Sequence, residues 1–313
     1  MSAPAPGIPD PAAHRAEWAQ SPERSNLAML RLMTWISLHL GRAPARFILV
    51  GISLYFLLFA PAAKTASRAY LRRALGRKPG QADLFRHFHS FASSIHDRIF
   101  LLNERYDLFQ FEVHGEAAIT EVLAEGRGAF LMGAHMGSFE ALRAIGRRQP
   151  GLRVAMVMYE ENARKINGAL AAINPSAVQD IVPLGQLDSM LRVQSCLDEG
   201  MVLGVLGDRT LDNDPTQSAV FLGDAAAFPV GPMRLAAMLK RPVIFMCGLY
   251  LGGNRYAIHF ERMADFSQIE RTSRAAAIEA AIAAYAACLE RHCRAAPYNW
   301  FNFFDFWRAK ATD

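Results

Sequence analysis

The spacing of apolar positions changes along the chain, and the changes divide it. Leu27 to Leu40 is largely apolar, interrupted by Arg31 and His39. Phe47 to Ala63 is an uncharged run of 17 residues between Arg46 and Lys64. Crossing about 30 Å of hydrocarbon takes about 20 helical residues, so this run sits at the short limit. The pair predicts a helical hairpin dipping into one leaflet, or a marginal single span. In the next stretch, Lys64, Arg68 and Arg72 recur every four residues and share a helix face, while Arg73 and Arg77 point elsewhere. An apolar patch flanked by cations suits a helix docked on anionic headgroups; the alternative is a core helix with a solvated cap. Pro79-Gly80 ends that helix. Leu84, Phe85, Phe88, Phe91, Ile95, Ile99 and Leu102 then mark an amphipathic helix. His87 and His89 lie on it about 200° apart, too far around to share a metal, and read as ordinary helix residues.

From Phe109 onward strands and helices alternate. Strands are predicted at 109–113, 128–132, 152–158, 179–184 and 201–206. Helices are predicted at 116–125, 139–148, from the third strand to about 173, and at 186–199. An irregular loop follows. Pro232–Lys240 reads as a helix with proline at its first turn, and Pro242–Tyr250 with Arg255–Glu261 as a strand pair around Gly252-Gly253-Asn254. Ser273–Arg294 reads as an alanine-rich helix. The implied class is α/β, a mixed and largely parallel sheet flanked by helices, with an N-terminal apolar helical membrane-associating segment. The expected division is a flexible lead-in over 1–26, the membrane-associating segment over 27–80, and the α/β domain over 81–313.

Composition supports a folded, lipid-leaning protein: 52% of residues are apolar and 20% charged, with mean hydropathy +0.08, which excludes disorder and fibrous repeats. Charge is uneven. Residues 1–110 hold 14 Lys/Arg against 7 Asp/Glu, leaving 20 against 22 for the remainder. Beside a long uncharged run, that basic third favours an anionic membrane surface over nucleic acid. Cys196, Cys247, Cys288 and Cys293 form no CxxC pair and read as reduced, mostly buried thiols; neither a metal nor a cofactor is expected.

The candidate chemistry starts in Gly133-Ala-His135-Met-Gly137-Ser-Phe-Glu140. Chance supplies about one His-x4-acid pair in a chain of this composition, and this is the only one present. Context raises it. On a continuous helix residues five apart would not meet, but at a strand-to-helix junction His135 lies in the loop and Glu140 in the first helical turn. The carboxylate would fix one ring nitrogen and leave the other as a base, half of a triad without a protein nucleophile; the bland alternative is a buried histidine beside a helix-capping acid. Downstream, Asp208 and Arg209 follow a strand, where α/β sheets place their sites. Arg209 would bind a phosphate or polarised substrate with Asp208 orienting it, unless the two are a loop salt bridge. Phe228-Pro229-Val-Gly231-Pro232 opens a helix whose N-terminal amides favour an anion or oxyanion, unless it is only a turn. Oxyanion donors are expected near Gly137 or Gly231.

The ordered set Gly-Ala-His135-x4-Glu140, Gly207-Asp208-Arg209, Phe221-Leu-Gly223, Phe228-Pro-x-Gly231-Pro232 and Arg241-Pro242-Val243 resembles the lysophospholipid acyltransferase superfamily, and most nearly its branch of bacterial lipid A late acyltransferases. The resemblance spans roughly residues 25–307 and includes the aromatic tail Pro297–Trp307. It implies an acyltransferase using His135 and Glu140, with Asp208, Arg209, Gly137, Phe228, Pro229 and Gly231 binding substrate. It also implies an acyl thioester donor (acyl-carrier protein or acyl-CoA) and a lipid or glycolipid acceptor at the cytoplasmic face of the bacterial inner membrane. Val230-Gly231-Pro232-Met233 replaces the Glu-Gly-Thr-Arg block of the glycerophosphate branch, so that branch's phosphate clamp is not expected here. Two other readings stay open: a thioesterase or lipid hydrolase activating water with the same pair, and a non-catalytic membrane-binding protein. No G-x-S-x-G elbow, H-E-x-x-H, P-loop or G-x-G-x-x-G after a strand is present.

Overall fold

A computed structural model describes residues 27–146, 152–177, 181–185, 188–210 and 214–307; the expected lead-in at 1–26 lies outside them. Four helices come first: α1 (Leu27–Leu40), α2 (Arg42–Phe59), α3 (Pro61–Ala74) and α4 (Gln81–Leu102). The alternating part follows as β1 (Gln110–His114), α5 (Glu116–Ala124), β2 (Ala129–Gly133), α6 (Phe139–Gly146), β3 (Val154–Tyr159), α7 (Glu160–Ile173), β4 (Ile181–Leu184), α8 (Ser189–Asp198) and β5 (Val202–Leu206). The chain continues through β6 (Thr216–Phe221), β7 (Asp224–Pro229), α9 (Gly231–Met238), β8 (Pro242–Tyr250), β9 (Arg255–Asp265) and α10 (Arg274–Ala295). The seven-stranded sheet has the order β1-β9-β8-β2-β5-β3-β4. It is parallel except where β9 runs antiparallel to β8.

The apolar runs of β2 and β8 are buried throughout because helices cover both faces of the sheet. Alternate residues serve opposite layers. Phe130, Met132, Leu203 and Phe245 pack in one core with Tyr285 and Leu289 of α10. Ala129, Leu131, Val202 and Ile244 pack in the other with Ile99 and Phe100 of α4 and Ala141 of α6.

On α2, Ala45, Leu49, Ser53 and Leu57 are buried, a stripe at four-residue intervals that seats the helix. Outward-facing apolar side chains on α1 and α2 stay open: Trp35 of α1 is 58% exposed, and on α2 Phe47 is 84%, Leu58 67% and Phe59 62% exposed. By length and composition Arg42–Phe59 can cross a membrane, and only 22% of it is buried in the protein. Its N-terminus is fixed. Arg42 donates twice to the buried Asp97 carboxylate at 2.8 Å, and Arg46 donates to Gly253 O at 2.6 Å. Tyr256 Oη donates to the same carboxylate at 2.9 Å. On α3, Arg73 pairs with Asp224 at 2.6 Å, and just beyond its end Arg77 pairs with Asp83 at 2.8 Å, whereas the exposed Arg68 and Arg72 make no ion pair among the described residues.

One expectation changes. The segment after β5, expected to be irregular, holds the antiparallel hairpin β6–β7. Its two turn residues, Leu222 and Gly223, both have positive φ (54° and 93°). Asn-Gly is the usual signal for such a turn, and leucine rarely occupies it; the amide of Leu222 is held by Glu290 at 2.6 Å.

Candidate active site

β2 and β5 are parallel neighbours, with Gly133 opposite Leu206. Two residues beyond each strand come His135 and Asp208, at the carboxyl edge where open parallel sheets place ligands. The amide of Met136 donates to Ala134 O at 2.6 Å, closing a three-residue turn with His135 at its centre. That turn projects the imidazole, which keeps 29% of its exposure while Asp208 has none.

The Asp208 carboxylate is the hub of this edge. Its Oδ1 lies 2.8 Å from His135 Nδ1. Its Oδ2 accepts from the His135 amide at 2.9 Å, Trp300 Nε1 at 2.9 Å and Asn302 Nδ2 at 3.1 Å. A carboxylate fully out of water needs such donors. Burial alone would raise its pKa; His135, Arg209 and the hydrogen bonds outweigh burial and hold the group to about 2. Ionised, it only accepts, so the His135 proton sits on Nδ1 and the lone pair on Nε2. Burial also holds the imidazole below its ordinary value of 6.5, against the opposing pull of Asp208 and with the help of the nearby Arg209 cation.

Residues 299–302 close the edge from above. Phe301 N donates to His135 O at 2.7 Å, and Gly137 N to Asn299 O at 2.8 Å. The Asn299 side chain both accepts from Tyr250 N at 2.7 Å and donates to Tyr250 O at 3.1 Å, clasping the end of β8. Behind Trp300, which is fully buried, His87 Nε2 meets Trp300 O and His87 Nδ1 meets Ser67 Oγ, each at 2.8 Å. Burial holds His87 to about 4, so it is neutral and joins α3 and α4 to the tail. Arg209 is anchored to the same tail through Asn302 Oδ1 at 2.8 Å and Phe301 O at 3.2 Å.

The structure departs from several expected contacts. Glu140 does not meet His135. It is 5% exposed in the first turn of α6, pairs with Arg98 Nε of α4 at 2.7 Å and accepts from Ser138 Oγ at 3.4 Å. Helix geometry explains this: Ser138 caps the helix by accepting from Ala141 N at 3.2 Å, which turns the face carrying Glu140 towards α4. Gly137 does not offer a free amide for an oxyanion, because its N–H is spent on Asn299. Instead it lets two backbones approach. At φ +66°, a Cβ there would lie 2.0 Å from Gly248 O. Gly137→Ala is therefore expected to lose stability, roughly 1–3 kcal/mol from the left-handed backbone alone, read as a lower thermal unfolding midpoint; an unchanged midpoint would refute the close approach. Phe228 and Pro229 are buried. The Phe228 ring packs edge-on against Phe221 at 5.7 Å, Tyr285 at 5.8 Å and Phe306 at 5.8 Å, which makes it part of the core. Gly231 opens α9 and is exposed, with no hydrogen bond to the His135 turn among the described residues. The residues missed by sequence reasoning are Arg98, Asn299, Trp300 and Asn302. The polar Asn299 and Asn302 inside an aromatic tail were the available signal.

Comparison with curated protein sequences gives no match. The family profile described as bacterial lipid A biosynthesis acyltransferase matches residues 23–309, taking in the apolar helices, the sheet and the tail that encloses Asp208. The chain belongs to the bacterial lipid A biosynthesis acyltransferase family and is an acyltransferase.

Proposed function

We propose that the protein moves a fatty acyl group from an acyl thioester (on acyl-carrier protein or CoA) to a hydroxyl or amine of a lipid or glycolipid acceptor at the cytoplasmic face of the membrane. His135 is the general base and Asp208 its orienting partner. The observation that carries the reading is the partly exposed imidazole bonded through Nδ1 to the buried Asp208 carboxylate, beside no protein nucleophile in the described edge. Nε2 takes the acceptor proton as the oxygen or nitrogen attacks the thioester carbonyl. The tetrahedral intermediate collapses, the carbon–sulfur bond breaks, and Nε2 returns the proton to the departing thiolate. No acyl-enzyme is formed. Asp208 stabilises the transient imidazolium.

An acyl acceptor embedded in lipid fits the exposed apolar helices. The open apolar faces of α1 and α2 include Trp35, Phe47, Leu58 and Phe59, and α3 carries the exposed Arg68 and Arg72, which make no ion pair among the described residues, the composition of an interfacial helix set. Glu140 here is a positioning residue that ties α6 to α4.

The test is acceptor dependence. Purified protein with acyl thioester and vesicles carrying total bacterial glycolipid should acylate the lipid, as read by mass spectrometry. It should release little free thiol without acceptor. Rapid thiol release with no acceptor and no acylated lipid would replace transfer by hydrolysis.

A further inference from the structure

A second polar cluster lies between α10 and β9, outside the site above. Cys288 and His292 stand four residues apart on α10, so both project from one helix face towards Glu261 of β9. The donor atoms of the three side chains lie within 4.8 Å of one another. His292 Nε2 is 2.6 Å from Glu261 Oε1; Cys288 and His292 are buried, 4% and 7% exposed. His259, cross-strand from Cys247, places its ring 4.8 Å from that of His292, and His114 of β1 stacks on His259 at 4.7 Å. None of these side chains hydrogen-bonds to His135 or Asp208 among the described residues.

We propose that Cys288, His292 and Glu261 form a binding site for a thiophilic divalent cation of the Zn²⁺ class, with His259 next in line as a fourth donor. A thiolate, an imidazole and a carboxylate converging on one point are the donor types such ions take. Placing two of them at i and i+4 on a helix gives a preset pair. Charge favours it as well: a dication with one thiolate and one carboxylate is neutral, which suits a largely buried position. Arg291 now bonds Glu261 and approaches Cys288 Sγ at 3.5 Å. Its side chain is 58% exposed, so it can swing into water as the ion enters. The Cys288 thiol proton leaves to solvent as the metal–sulfur bond forms. The ion would pin α10 to the β1–β9 edge.

The test uses the full-length protein, stripped with chelator in reducing buffer and titrated with Co²⁺, then with Zn²⁺ in competition. The parent should show a near-ultraviolet thiolate-to-cobalt absorption band that Zn²⁺ abolishes, at one ion per chain by native mass spectrometry. Cys288→Ser should lose the band. His292→Asn and Glu261→Gln should weaken binding at least about tenfold, and the half-exposed Glu261 position guards against loss of fold. Metal-free thermal unfolding of each variant is compared with the parent, and only variants that unfold like it are scored. Absence of the band in the parent overturns the proposal. So does a band that survives in Cys288→Ser, or Zn²⁺ affinity equal to the parent's in Glu261→Gln, which would leave surface histidines as the binders. These readouts do not depend on acyl transfer, so failure here leaves the proposed reaction untouched.

Discussion

His135→Ala is expected to lower turnover by roughly 10²–10⁴-fold, the size of a general-base contribution, while the protein stays folded. Removal of a side chain that is 29% exposed leaves a gap open to water, so the loss belongs to the chemistry. The pH profile of the unaltered protein checks the same assignment. The base must be neutral to act, and burial holds its pKa below 6.5. Acyl transfer should therefore be flat through neutral pH and fall off on the acid side, with an apparent midpoint under 6.5. A midpoint above 7, or an alanine variant with undiminished transfer, removes His135 from the role of base.

Asp208→Asn carries a comparable expected loss for a different reason. Four N–H donors converge on the two carboxylate oxygens. An amide offers one oxygen and one NH₂ group, so either way round a donor faces a donor. If the NH₂ faces Nδ1, the His135 proton moves to Nε2 and the base is lost; turned over, the tail residues lose their acceptor. Turnover should fall by roughly 10²–10⁴-fold. Glu140→Gln is the comparison that matters. Its carboxylate pairs with Arg98, so its loss should loosen the contact between α6 and α4 and lower the unfolding temperature more than it lowers turnover. If Glu140→Gln costs more activity than Asp208→Asn, the imidazole turns to Glu140 during the reaction, and the orienting role passes back to it.

Much of the architecture was legible because its signals are local. The apolar runs of β2, β5 and β8, the proline opening α9 and the Gly252-Gly253-Asn254 turn each act within a few residues, and the elements fall where they point. The β6–β7 hairpin escaped because its turn uses Leu222 where glycine or asparagine is usual. The site was half legible. His135 and Asp208 could each be placed beyond a strand, but nothing in one sequence says that β5 lies beside β2 while β3 does not. Five-residue spacing therefore drew His135 to Glu140, when strand order gives it Asp208. The third layer, Trp300 and Asn302, lies 92 and 94 residues from Asp208, and no local pattern reaches that far. The Cys288–His292 pair was hidden for a related reason: its third donor comes from a strand rather than from the helix.

That long separation sets an order of assembly. Asp208 is synthesised well before the residues that hold it, and until Asn299–Asn302 arrive its carboxylate has neither the indole nor the amide donor that offsets its burial. The strands and helices can form first, and Asp208 Oδ1 can then already meet His135 Nδ1, but Oδ2 gains its indole and side-chain amide donors only when the aromatic tail lies down across the sheet. The tail thus acts as a late-arriving keystone, supplying two of the four donors to Asp208 from residues made 92 and 94 positions after it.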